Sequence, residues 1–360
     1  MHGRPRYPRP NTGDPQKLQA AEQRVQLYSR LTSTVLKRLQ AGQYDKETLD
    51  LAARLLEQNP EVYTVWNHRK RALLATLSKG GDTAAEAVKA ELALTQRALE
   101  KHPKSYATWH HRRWLVAQHV TSLQQEVDLV NRLLEADERN FHGWGYRQFL
   151  MELMQAAPED EEAYAAAKID HNFSNYSAWH LKTRLLKKVH HQSPTVTLDD
   201  LISAKSSAAA AAEERLVPFW ALRQELELVT QAFYTDPGDQ SPWLYHRWLL
   251  GCLLAHAQTG KNKEEIVSLL QQEVAVCKDI LELEDTAAPD GKAASSIKWP
   301  SLTLAQLHEL LCSVAPSSFD NEQTDVRLLY RQLQDIDQLR AGFYTDASKG
   351  SAKILVQSAT

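Results

Sequence analysis

The chain has 360 residues, enough for two compact domains or one extended repeat array, and a formal net charge of −3 from 42 basic and 45 acidic side chains. That balance gives none of the cationic field that phosphate neutralisation needs, which argues against nucleic-acid binding. Cys252, Cys277 and Cys312 are an odd number in distant segments, so they suit neither a disulfide framework nor a zinc site made by this chain alone.

Residues 1–15, opening Met1-His2-Gly3-Arg4, read as a flexible, basic, Pro-rich arm without the apolar core of a signal peptide. No apolar run approaches the length of a membrane span, so a soluble, cytoplasmic protein is expected. From residue 16 to 344 one pattern returns: a helix-start residue, Trp four positions later, and a cation three after the Trp. Its copies carry Trp66 with Arg69, Trp109 with Arg112, Trp144 with Arg147, Trp179 with Lys182, and Trp243 with His246 in register and Arg247 one later. A degenerate sixth runs from Ser295 to Trp299.

Trp109, Trp144 and Trp179 are 35 residues apart, the length of a helix-turn-helix unit, and apolar residues at helical spacing such as Val127, Val130 and Leu134 lie between them. Ser105, Asn140, Asn175, Asp239 and Ser295 can each accept from the orphan N–H groups of a first helical turn, so each predicts a helix start. Trp and the cation three residues later share one helix face, which places the indole in the core with the cation beside it. The rhythm breaks near 199–214, which is Ala-rich, and near 286–296, rich in Ala, Ser, Gly and Pro; both read as insertions in connections, and 345–360 as a flexible tail. The expected fold is all-α: one right-handed α-α superhelix, a solenoid of helical hairpins forming a crescent.

The segment Pro103-Lys104-Ser105-Tyr106-Ala107-Thr108-Trp109-His110-His111-Arg112 resembles a repeat of protein prenyltransferase alpha subunits, and Asn172-Phe173-Ser174-Asn175-Tyr176-Ser177-Ala178-Trp179 resembles a later one. Met1 to Arg4, Asp137 to His142, and Phe233 to Pro237 with Tyr245 to Leu250 are most similar to the Rab geranylgeranyltransferase (type II) alpha subunit. Animal relatives add immunoglobulin-like and leucine-rich-repeat domains; no pattern of either kind is visible here, which suggests a minimal form.

The resemblance implies one subunit of a heterodimer that moves geranylgeranyl from its diphosphate to C-terminal cysteines of Rab GTPases presented by an escort protein. Zinc and the lipid pocket would belong to the beta subunit, because this chain has no Cys/His/Asp cluster at zinc spacing. Read from the residues alone, Lys104 is a lysine beside a helix N-terminus, where the dipole favours an anion; the resemblance makes it and Tyr106 catalytic, stabilising the leaving diphosphate. Packing under the repeat edge is the other reading of Tyr106. Asn140, His142, Asn175 and Tyr176 hold equivalent places and are expected along the diphosphate edge. His2 is either part of a plain tail or, on the resemblance, a self-inhibitory ligand of the partner's zinc. Two rivals stand: the alpha subunit shared by farnesyltransferase and geranylgeranyltransferase type I, and a non-catalytic scaffold. Ala107 argues against the first, because it lacks the side-chain amide that clamps a short C-terminal box.

Overall fold

In the computed structural model of the chain, residues 15–118, 121–190, 216–260, 262–287, 294–316 and 323–352 are described, and every regular element among them is helical. The N-terminal arm up to residue 14, the 199–214 insertion, residues 288–293 and the tail from 353 lie outside the described residues.

The first compact unit ends at Gln155. It holds α1 (Pro15–Gln40), α2 (Lys46–Gln58), α3 (Tyr63–Leu77), α4 (Gly81–Lys101), α5 (Tyr106–Val116), α6 (Leu123–Ala136) and α7 (Phe141–Met154). The Trp-bearing helices form one layer, α3 against α5 and α5 against α7, while α2 packs on α4 and each hairpin closes through α3–α4 and α6–α7. The second unit begins at Ala156. It comprises α8 (Pro158–His171), α9 (Tyr176–His190), α10 (Phe219–Thr235), α11 (Gln240–Gln258), α12 (Lys263–Ala287), α13 (Ala294–Val314), α14 (Gln323–Ile336) and α15 (Ala341–Ser348). Here α9 packs on α11 and α11 on α13, with α10 against α12. Each unit is thus built from helical hairpins that contact only near neighbours, as a solenoid requires. The sequence shows one continuous array from 16 to 344 and nothing at 155 to divide it.

The helix starts follow the capping residues. Ser105 Oγ accepts from the Thr108 amide, Asn140 Oδ1 from the His142 and Gly143 amides, Asn175 Oδ1 from the Ala178 amide, and Asp239 Oδ1 from the Ser241 amide. Ser295 departs from the expectation: α13 begins at Ala294, so Ser295 lies inside its first turn. That helix also continues through Pro300, because buried Leu304, Ala305, Leu307 and Leu311 hold it against its neighbours and outweigh the lost N–H. The last helix reaches Ser348 and buries Ala347, past the boundary drawn at 344.

The five tryptophans of the repeated pattern, of nine in the chain, sit in the core, all under 5 % exposed. At about 25 cal/mol per Å² over roughly 200 Å² of ring, each indole gains about 5 kcal/mol before entropy is charged against it. Each ring is also oriented by one recurring bond. The indole N–H donates to the carbonyl six residues upstream: Trp66 to Pro60 at 2.8 Å, Trp109 to Pro103 at 2.9 Å, Trp144 to Glu138 at 2.8 Å, Trp179 to Phe173 at 2.8 Å and Trp243 to Pro237 at 3.0 Å. The Trp therefore folds the incoming loop back over its own helix.

Candidate functional site

At Trp66, Trp109, Trp179 and Trp243 the cation that follows the indole meets a buried carboxylate on the next helix. Arg69 grips Glu91 with two bonds of 2.8 and 2.6 Å, and Arg112 grips Glu126 with two of 2.7 and 2.8 Å while also reaching Thr95 Oγ1 at 2.8 Å. Arg147 donates to Asn131 at 2.5 Å. In the second unit Lys182 bonds Glu162 and sits 2.8 Å from Glu225, while His246 stands in the arginine's place, 2.9 Å from Glu273. The residue two after the Trp closes each pair from the next helix: His111 on Glu91 at 2.9 Å, Tyr146 on Glu126 at 2.6 Å and Tyr245 on Glu225 at 2.8 Å. These carboxylates carry no mark in the Trp motif, yet Glu91, Glu126 and Glu161, all buried, recur at the same 35-residue spacing as the tryptophans. This ladder of charge-assisted bonds is scaffold, and among the described residues its cations are spent on these partners.

The scaffold fixes the loop that carries Lys104. The Pro103 carbonyl accepts from both the Trp109 indole at 2.9 Å and the Asn140 amide at 3.2 Å, and one residue past Lys104 the Ser105 cap locks the start of α5. Lys104 itself is solvent-facing, its side chain 55 % exposed and its ammonium 3.6 Å from Asp137 Oδ2. An exposed pair at that distance holds the lysine only weakly, about 0–1 kcal/mol, so an arriving anion can take its place. Tyr106, the first residue of α5, is 59 % exposed. Its ring lies edge-on to His142, with centroids 4.3 Å apart, and 5.8 Å from Phe141, so the phenol belongs to the surface and not to the packing beneath it. His142 is half-buried and its Nε2 has no hydrogen-bond partner. Burial pushes its pKa down, and the neighbouring Arg113 and Lys104 charges act in the same direction, against Glu61 and the Lys104 backbone. The weakly held lysine and the exposed phenol form a surface able to donate to an anion, with the neutral His142 imidazole, its Nε2 shut off from solvent, packed against Tyr106.

Two expected members of that edge do different work. Asn140 and Asn175 are 1 % and 0 % exposed. Asn140 spends its oxygen on two amides of α7 and its amide on Pro103, so it positions the Lys104 loop and leaves no group to face a diphosphate. In the second unit Asn175 caps α9 from within, and Tyr176 after it is 48 % exposed, near-parallel to His180. Ala107 also faces inward, in one core cluster with Val65 and Trp66, so the discrimination drawn from position 107 concerns a side chain that does not reach the surface. His2 lies outside the described residues. Among the described residues no group of three or more His, Cys, Asp or Glu could hold a metal, and no helix is long and apolar enough to cross a membrane.

Comparison with known proteins meets the same repeats. The family model "Protein prenyltransferase alpha subunit repeat" matches residues 45–76, 88–119, 123–154 and 222–253. Each segment joins a Trp helix to the helix before it; the copy at Trp179, whose cation is Lys182, is not among them. The chain is 40% identical over 254 residues to "Geranylgeranyl transferase type-2 subunit alpha" of Rattus norvegicus, a match covering 70% of this chain and 42% of that protein. It therefore spans less than half the length of the mammalian relatives it matches. The protein of the same name from Schizosaccharomyces pombe is 29% identical over 348 residues, covering 91% of this chain and 92% of that one. Among solved structures, Candida albicans protein geranylgeranyltransferase-I complexed with GGPP aligns with a TM-score of 0.61 at 18% identity, covering 91% of each chain, a likeness of fold. With matching repeats that contain the Trp, cation and carboxylate positions, and relatives of one name at two lengths, the chain belongs to the protein prenyltransferase alpha subunit family.

Proposed function

We propose that this chain is the alpha subunit of a heterodimeric Rab geranylgeranyltransferase, active only with its beta subunit, and that it stabilises the diphosphate leaving group. The observation that carries the reading is the Lys104 loop: backbone locked on both sides, ammonium exposed, a phenol and a neutral imidazole adjoining it. In the proposed reaction a cysteine thiolate of a Rab GTPase attacks C1 of geranylgeranyl diphosphate. The C1–O bond breaks, and negative charge gathers on the departing diphosphate. Lys104 meets that charge with a full positive charge, Tyr106 with an O–H, and the N-terminus of α5 with its dipole. A locked loop makes the lysine ready before the charge develops, which is what lowers a barrier.

The beta subunit is assigned the isoprenoid tunnel and a zinc ion that activates the thiol, and an escort protein is assigned presentation of the Rab. His2 is proposed as an autoinhibitory ligand of the partner's zinc; an unchanged cobalt spectrum of the metal-substituted, substrate-free heterodimer in His2→Ala would remove it. The main test is transfer by the co-expressed heterodimer with escort protein and a Rab substrate. Lys104→Ala should form the heterodimer normally and lose about 10²-fold in turnover, the scale seen when one transition-state donor is removed. Unimpaired turnover would withdraw Lys104, and transfer only to short C-terminal-box peptides would favour the alpha subunit shared by farnesyltransferase and the type I enzyme. No transfer with any partner would leave a scaffold.

A further inference from the structure

The first unit holds a second surface, formed by α2, α3 and α4 with Tyr44 at its rim. A cavity of about 620 Å³ opens there. Its floor is the neutralised Arg69–Glu91 pair with the half-buried Ala72 and Ala87, while the exposed Ala75 and Ala90 line it nearer solvent. Three cations of the lining, Lys46, Arg71 and Lys79, are exposed and carry no ion pair among the described residues, against one unpaired acid, Asp50. The rim is stiff on one side: Tyr44 stacks on His68 at 4.3 Å and 4°, and His68 Nε2 is anchored on the Gln43 carbonyl at 2.7 Å.

We propose that this cavity is a docking site for a short acidic peptide segment of a partner protein, with carboxylates on Lys46, Arg71 and Lys79 and a small apolar side chain on the alanine floor. Charge complementarity selects an acidic occupant, and spacing selects a peptide over a single phosphate. Arg71 lies in α3 and Lys79 two residues past its end at Leu77, so the two cations are spread over more than the six-residue rise of about 9 Å, a spacing suited to carboxylates strung along a chain. An exposed, rigid tyrosine at the edge of an apolar floor supplies the aromatic anchor that peptide sites use. The site goes beyond the transfer reaction and does not rest on it, since nothing in the cavity belongs to the Lys104 surface.

The probe is a fluorescein-labelled Glu-Glu-Leu-Glu-Glu-Leu-Glu-Glu peptide titrated against the full chain by fluorescence anisotropy. Saturable binding is expected, weakened at least tenfold in the Lys46→Glu/Arg71→Glu/Lys79→Glu variant and unchanged in Lys263→Glu, an exposed lysine of the second unit. All three substituted side chains are exposed, so a thermal melt should stay at the wild-type position, and Ala75→Trp, which fills the mouth of the cavity without touching charge, should weaken binding independently. No saturation up to 1 mM peptide, equal binding by the charge-reversed variant, or full displacement by inorganic phosphate at peptide-equivalent concentration would each overturn the proposal.

Discussion

The starts of α5 and α7, both in the first unit, share one scaffold. Each has a buried cap, an indole returned to the carbonyl six residues back, and an aromatic ring left exposed in the first turn, Tyr106 in one and Phe141 in the other. They differ in equipment. Before the cap stand Lys104 and Arg139, and Tyr106 has a hydroxyl where Phe141 has none. The Lys104 loop is also held from both sides by Trp109 and Asn140, so the later repeat lends its cap to position the earlier repeat's lysine. In a repeat protein, what recurs builds the array, and what breaks the recurrence is where chemistry can sit.

The strongest way to break that comparison is to attack what recurs. Arg112 is 2 % exposed and carries both carboxylate bonds to Glu126. Arg112→Met keeps the volume and strands Glu126 as a buried charge with only Tyr146 for company, at an expected cost of about 3–5 kcal/mol. Adding Glu126→Met should recover at least half, because a buried pair replaced as a unit is often tolerated. Urea midpoints of the two variants check both figures. A single variant costing less than about 1 kcal/mol would demote the ladder to ornament.

The same ladder sets an acid limit. Burial alone would raise the Glu91 carboxyl, but the hydrogen bonds from His111 and Arg69 outweigh it and hold the pKa down at about 2, from 4.5. A depressed folded pKa means stability present above the unfolded value and lost as pH falls through the folded one, about 3 kcal/mol in all between pH 4.5 and 2. For His111, burial pushes the pKa below 6.5, against the pull of Glu91. The unfolded chain then takes up a proton first, so this residue also withdraws stability as pH drops below 6.5. Urea midpoints measured from pH 7.5 down to 3 should fall continuously. A flat profile would mean that these groups are solvated and the ladder is open.

Much of the array was legible because tryptophan at helical phase admits few readings, and the caps at Ser105, Asn140, Asn175 and Asp239 behave as their side chains dictate. The carboxylates were missed although Glu91, Glu126 and Glu161 recur in step with the tryptophans, because a glutamate on an amphipathic helix ordinarily faces water. The indole bonds carry no side-chain signature at all: their acceptors are backbone carbonyls, of Pro60, Pro103 and Pro237 in three cases and of Glu138 and Phe173 in two. Register with Ser105 predicts Asn140 on the diphosphate edge; register fixes which helix start a residue belongs to but not whether its amide points out or, as here, back to Pro103. Spacing to Trp299 predicts Ser295 as a cap, whereas the helix starts one residue earlier, at Ala294.

The smallest effect sharpens the comparison most. Lys104 and Arg139 occupy the same register, both are exposed, and neither belongs to the buried ladder. Lys104→Ala removes at most a 3.6 Å pair with Asp137, so stability should move by less than about 0.5 kcal/mol, as it should for Arg139→Ala. If the two variants melt alike and only Lys104→Ala loses transfer in the heterodimer, the lysine acts on substrate charge and not on the fold. If both lose transfer equally, the surface needs cations at every helix start, and the distinction between recurring scaffold and singular chemistry fails at the place where it was drawn. If Lys104→Ala also unfolds early, the lysine is part of the loop's lock, and its apparent effect on turnover would have to be corrected for lost heterodimer before any of it is assigned to the leaving group.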